Sequence, residues 1–149
     1  MVIKTKPFGE LDVSEKQKIY FKDGILGFEE IHNFFLLDTE EESPFYWFQA
    51  LEEPEIAFVI IDPKFIEPEY KLNIDKKELE ELEVNNEEDL LIFSIVTISE
   101  RPEDITANLL GPIIINKKNL NAKQVINQDD NYLIKHPLLK KGGNNVNTW

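Results

Sequence analysis

Apolar residues along this chain come in short runs broken by turn residues, the pattern expected of many short β-strands. Val2 to Phe8 reads as a first strand with a turn near Gly9, and Lys18 to Phe21 as the next, followed by an Asp23-Gly24 turn. Ile25 to Phe28 and Phe34 to Asp38 continue the series. Leu90 to Ile98, Ile105 to Leu110, Pro112 to Ile115, Gln124 to Ile126 and Tyr132 to Ile134 complete it. The most informative stretch is 44–63, where two aromatic and β-branched runs flank a short acidic turn and a proline bounds each end. That composition predicts a hairpin over 45–61, because such side chains suit a pleated surface and proline stops the ladder.

Both faces of this hairpin are apolar. Phe45 and Trp47 point one way and Tyr46 and Phe48 the other, while Ile56, Phe58 and Ile60 oppose Ala57, Val59 and Ile61. A half-exposed ribbon would alternate apolar with polar, so this one must be covered on both sides. Leu90 to Ile98 is apolar on both faces too, which predicts a central buried strand. A single helix is expected over 75–83, opened by an Asp75–Glu78 capping box and anchored by Leu79 and Leu82. Many strands with one short helix place the chain in the all-β class, as a sandwich or barrel. The 149 residues suit a single domain over 1–139, and the polar 140–149 segment reads as a disordered tail.

Charge narrows the partners. The net charge is −13, but residues 1–116 carry 27 acidic and 10 basic side chains, while 117–149 carry six lysines against Asp129 and Asp130. An acidic body repels a phosphate backbone, which argues against direct nucleic-acid binding, and it would speed association with a basic protein. No apolar run approaches the ~18 residues of a membrane span. With no cysteine there is neither a disulfide framework nor a thiolate metal site. The expectation is a soluble cytoplasmic protein, away from the membrane and monomeric when free.

Catalytic chemistry is not announced. His32 and His136 lie in different regions without metal-ligand spacing, and there is no Gly-rich phosphate loop and no His-Glu-x-x-His. Carboxylates abound, yet nothing singles out an acid–base pair. The reading is a non-enzyme without cofactor or metal; the alternatives are a small barrel enzyme or carrier with a polar pocket, and a self-assembling scaffold. Polar residues set inside apolar strands stand out instead: Gln49, Ser94, Thr97, Thr106 and Asn108. A buried amide must find partners, so Asn108 reads as a structural clasp, and Gly111-Pro112 as a bend between strands.

Four segments in register then resemble one family. Phe21-Lys-Asp-Gly-Ile-Leu-Gly-Phe-Glu29 is similar to its early Gly-x-x-Gly-Phe motif, with Gly24 and Gly27 as the glycines. Pro44 to Pro63 is similar to its aromatic-Gln block around Gln49. Thr106-Ala-Asn-Leu-Leu-Gly-Pro-Ile-Ile-Ile-Asn116, with Asn108 and Pro112, and Lys123-Gln-Val-Ile126 are similar to two later elements. Tyr132 to Leu138 fits the ending. The chain departs at Leu26, where members commonly have proline. The family is that of the bacterial flagellar assembly factor FliW, and the resemblance covers roughly residues 2–139.

The resemblance implies a small closed β-barrel-like domain that binds flagellin in the cytoplasm and antagonises CsrA, an RNA-binding translational regulator. Flagellin occupies the factor while abundant; once exported, it leaves the factor free to sequester CsrA and relieve repression of flagellin translation. For charge-led binding the expected residues are Glu52, Glu53 and Glu55 at the hairpin tip, with Glu80, Glu81, Glu87 and Glu88 as a second patch. Reversing Glu52, Glu53 and Glu55 to lysine is expected to cut CsrA affinity with the fold intact. For apolar docking the expected residues are Phe28, Tyr46 and Phe48.

Overall fold

The computed structural model describes residues 1–39 and 42–139. The tail expected over 140–149 lies outside the described residues. The chain begins with a separate hairpin, β1 (Val2–Thr5) and β2 (Gly9–Asp12). Then come β3 (Lys18–Phe21), β4 (Asn33–Asp38), β5 (Phe45–Ala50) and β6 (Ala57–Ile61), a run of antiparallel neighbours. After α1 (Lys76–Glu81) follow β7 (Leu90–Thr97), β8 (Thr106–Ala107), β9 (Ile113–Asn116), β10 (Asn121–Gln124) and β11 (His136–Pro137).

Seven of these strands close a barrel in the order β7-β6-β5-β4-β3-β10-β9, with β9 pairing back onto β7. The seam is the parallel β10–β3 pair, Asn121 against Tyr20 and Ala122 against Phe21. Strand β7 forks the sheet. Its first half, Leu90 to Phe93, pairs with β9, and its end, Val96 and Thr97, pairs with β8, which carries β11 outside it. Among the described residues the fold is mainly β with one short helix, as the strand pattern implied.

The barrel interior is a cluster of aromatic and branched side chains including Phe21, Phe34, Phe48, Ile60, Phe93 and Ile113. Phe21 meets Phe34 and Phe48 edge-on, with ring centroids 5.3 and 5.9 Å apart, the offset geometry aromatic quadrupoles favour. The two-faced hairpin now has both covers, and both come from this chain. On its outer side Trp47 packs with Phe35 and Leu37 under Ile3, Leu11 and Val13 of the β1–β2 hairpin. Phe45, Val59 and Ile61 pack instead with Tyr70, Val96, Leu109 and Leu138 in a second core. The second core reaches β7's outer face at Ile92 and Val96, and a cluster of Leu79, Leu82 and Val84 covers it at Leu90, so this strand is largely apolar on both sides.

Several local expectations shift. Ile25 to Phe28 is a turn closed by Phe28 N–H donating to Ile25 O at 2.6 Å, not a strand. The last two runs move to Asn121–Gln124 and His136–Pro137; Ile126 and Ile134 are 62% and 61% exposed instead of facing a core. The helix forms where expected, but Asp75 makes no side-chain cap. Its carboxylate accepts from Gln128 Nε2 at 3.0 Å, a tertiary bond that replaces the capping box.

Candidate partner-binding surfaces and the framework that holds them

The motif residues converge on one hydrogen-bonded chain. Asn108 Oδ1 accepts from Gly111 N–H at 2.7 Å, Gly111 O accepts from Gln124 Nε2 at 3.0 Å, and Gln124 Oε1 accepts from Leu26 N–H at 2.9 Å. Pro112, buried beside Gly111, accepts from Val125 N–H at 3.0 Å. Three sequence-distant segments thus meet at the 24–28 turn. Gly24 is required there twice over: its φ is +70°, and an added Cβ would lie 2.7 Å from the Cα of Glu29. Gly27, at φ +90°, takes the turn position that only glycine occupies without strain.

Gln49 is fully buried on β5 and ties two elements together. Its Oε1 accepts from Lys6 N–H at 2.8 Å, and its Nε2 donates to the carbonyls of Ala50 and Pro54, each at 2.9 Å. The β1–β2 hairpin and the β5–β6 turn are therefore both fixed by one amide.

The acidic residues at that turn, Glu52, Glu53 and Glu55, are all exposed. Glu52, however, is committed to intramolecular hydrogen bonds. Its carboxylate accepts from His32 N–H at 2.9 Å and Asn33 N–H at 3.1 Å. Partial burial works against ionisation, but these hydrogen bonds outweigh it and hold the Glu52 carboxyl below its ordinary value. Reversal of all three glutamates would also remove the acceptor of the His32 and Asn33 N–H groups.

Around α1 the glutamates also divide. Glu78 and Glu81 both bind Lys123 of β10, Glu78 at 2.7 Å. The hydrogen bond from Lys123 and its charge lower the Glu81 pKa. Burial opposes the charge on Lys123, but the paired carboxylates win and raise its pKa. Glu80, Glu87 and Glu88 remain exposed on the surface. Leu79, Val84 and Leu90 lie below them in a groove of about 280 Å³.

The three expected apolar docking residues separate likewise. Phe48 is fully buried in the barrel core, so it cannot dock a partner, and that expectation is corrected. Tyr46 and Phe28 are half-buried at the same core, Tyr46 edge-on to Phe93 at 5.5 Å and Phe28 edge-on to Phe58 at 5.0 Å.

Sequence reasoning passed over two buried asparagines. Asn116 Nδ2 donates to Leu82 O at 2.8 Å, closing the C-terminal end of α1 onto β9. Asn127 Nδ2 donates to Lys71 O at 2.8 Å and to the Tyr70 hydroxyl at 3.2 Å. That hydroxyl in turn donates to Leu109 O at 2.7 Å, and burial pushes its pKa up to about 12. The available signal was an asparagine closing an apolar run, in Ile-Ile-Ile-Asn116 and Val-Ile-Asn127. Among the described residues no group of His, Cys, Asp and Glu could hold a metal ion, and no helix is long and apolar enough to cross a membrane.

A family model described as FliW protein matches residues 2–138. The chain belongs to the FliW family. It is 48% identical over 142 residues to the flagellar assembly factor FliW of Caldanaerobacter subterraneus subsp. tengcongensis, covering 95% of each chain. To the flagellar assembly factor FliW of Bacillus subtilis it is 39% identical over 138 residues, covering 93% of this chain and 96% of the relative. A crystal structure of the flagellar assembly factor FliW matches with a TM-score of 0.87 at 36% identity, covering 96% of this chain and all of that one. The FliW family is one of assembly factors rather than enzymes.

Proposed function

We propose that this chain is a non-enzymatic flagellar assembly factor of the cytoplasm, acting as a monomer that exchanges two protein partners. It binds flagellin while flagellin is abundant; after export it sequesters the translational regulator CsrA and so couples flagellin translation to filament assembly. The observation that carries this reading is family membership over nearly the whole chain, with relatives named for flagellar assembly. The chemistry supports it from two sides. A protein that binds RNA is basic, and this body presents 27 acidic against 10 basic side chains over residues 1–116. The candidates for that contact are the expected glutamates not tied to this chain's own groups, as Glu52 is to His32 and Asn33 and Glu81 to Lys123: Glu53, Glu55, Glu80, Glu87 and Glu88. Phe28 and Tyr46, half-buried at the barrel core, are the candidates for apolar docking of an amphipathic flagellin segment. The reading is tested by mixing the purified protein with flagellin and with CsrA from the same organism on a sizing column. Co-elution with each at low salt is expected, and co-elution with neither overturns it.

A further inference from the structure

Where α1 meets β7, an apolar slot opens into a polar trough. The floor of the slot is Leu79, Val84 and Leu90, and its volume is about 280 Å³. Val84 is nearly buried, but Leu79 and Leu90 remain half-exposed beneath the opening. Glu80 and Glu87 stand on its rim, and Lys76 is its one cation. Glu80 and Asn85 are shared with a neighbouring, more open depression of about 610 Å³ whose other lining is Glu83, Asn116, Asn119 and Lys118, the last paired with Asp89 at 3.3 Å. Slot and trough therefore form one continuous track, apolar at one end and hydrogen-bonding along the rest.

We propose that this track docks a cationic protein segment through one aliphatic anchor, with Lys or Arg side chains of that segment against Glu80 and Glu87. The proposal rests on the reading above that the chain works by binding a basic protein, and it names where. Three features argue for this occupant. Leu79, Val84 and Leu90 give the slot an apolar floor that favours an aliphatic side chain. The rim glutamates reward a positive flank. A second copy of this chain would bring a body with 27 acidic and 10 basic side chains against an acidic rim, so like charge opposes self-docking there.

The test uses the full-length protein and three short synthetic peptides of equal length. One has a leucine flanked by lysines; in the second that leucine is glycine, and in the third the lysines are glutamates. Amide chemical shifts locate binding, and titration gives affinity. The leucine–lysine peptide is expected to move the Leu79, Val84 and Asn85 signals, with affinity at least about tenfold above the glycine peptide. The glutamate peptide is expected not to bind. Glu87→Lys, a change at an exposed position, is expected to weaken the leucine–lysine peptide several-fold. Equal binding by any two peptides, shifts confined to another face, no binding, or self-association at this groove would each overturn the proposal. If whole partners co-elute with the wild type and equally with Glu87→Lys while all peptides are silent, the groove falls and the functional reading stands. If no partner co-elutes with the wild type, the functional reading falls, and the peptide result alone decides the groove.

Discussion

The Lys6 backbone N–H donates to the Gln49 side-chain oxygen at 2.8 Å, joining the N-terminal hairpin to a barrel strand 43 residues away. The same amide's nitrogen serves carbonyls in the β5–β6 turn. Replacing Gln49 by alanine leaves one donor and two or more acceptors without a partner in a buried setting. The expected loss is about 2–3 kcal/mol in urea unfolding. A loss below about 0.5 kcal/mol would show that the hairpin is held by Ile3, Leu11 and Val13 packing alone.

Ser94 sits fully buried on β7 opposite Ile61, and its hydroxyl has no partner among the described residues. Deleting the oxygen removes an unsatisfied group at little cost in packing. Ser94→Ala is expected to leave stability unchanged or raise it by up to ~1 kcal/mol, read from thermal or urea unfolding. A loss above about 1 kcal/mol would mean the hydroxyl is bonded after all, for example through a buried water.

Leu26 precedes Gly27 in the 25–28 turn, the position where proline is favoured on conformational grounds. Its N–H, however, is committed to Gln124. Proline would gain roughly 0.4–1 kcal/mol through the unfolded chain and lose a hydrogen bond of similar size. Leu26→Pro is therefore expected to give no stabilisation in this chain, and a rise in Tm with Gln124 unchanged would contradict that balance.

The Glu52 carboxyl is held below its ordinary value of 4.5 by the His32 and Asn33 N–H groups, against the opposing effect of burial. A lowered folded pKa contributes stability that is present above the unfolded pKa. That stability is lost as pH falls through 4.5 toward the folded value. Glu52→Gln should remove this part of the acid dependence, with stability lower than wild type at neutral pH and the two proteins converging as pH falls below the folded value. Parallel acid limbs for the two proteins would place the contribution elsewhere.

Much of the fold was legible because burial here is two-sided. Lys18–Phe21 and the 45–61 hairpin were readable since aromatic and β-branched runs have few other stable conformations. What was hidden depended on tertiary pairing. Asn121–Gln124 has no apolar pattern, and it is a strand because β9 and β3 flank it. Gly9–Asp12 is equally polar, and only its pairing with β1 makes it one. The acidic patches were visible as charge, but sequence could not separate Glu53 from Glu52, equally exposed but with its oxygens spent on backbone N–H groups 19 and 20 residues away. Phe48 was misplaced for a related reason: composition shows an aromatic residue, and only barrel closure shows which side of the ribbon is the core.

The proposed function turns on exchange between two partners. The direct measurement is to saturate the purified protein with CsrA at low salt, titrate in flagellin, and follow the CsrA that still co-elutes on a sizing column. CsrA is expected to be released as flagellin binds, and in separate runs added salt is expected to weaken the CsrA complex more than the flagellin complex. CsrA retained in full at saturating flagellin, with equal salt dependence for both complexes, would contradict the proposed exchange.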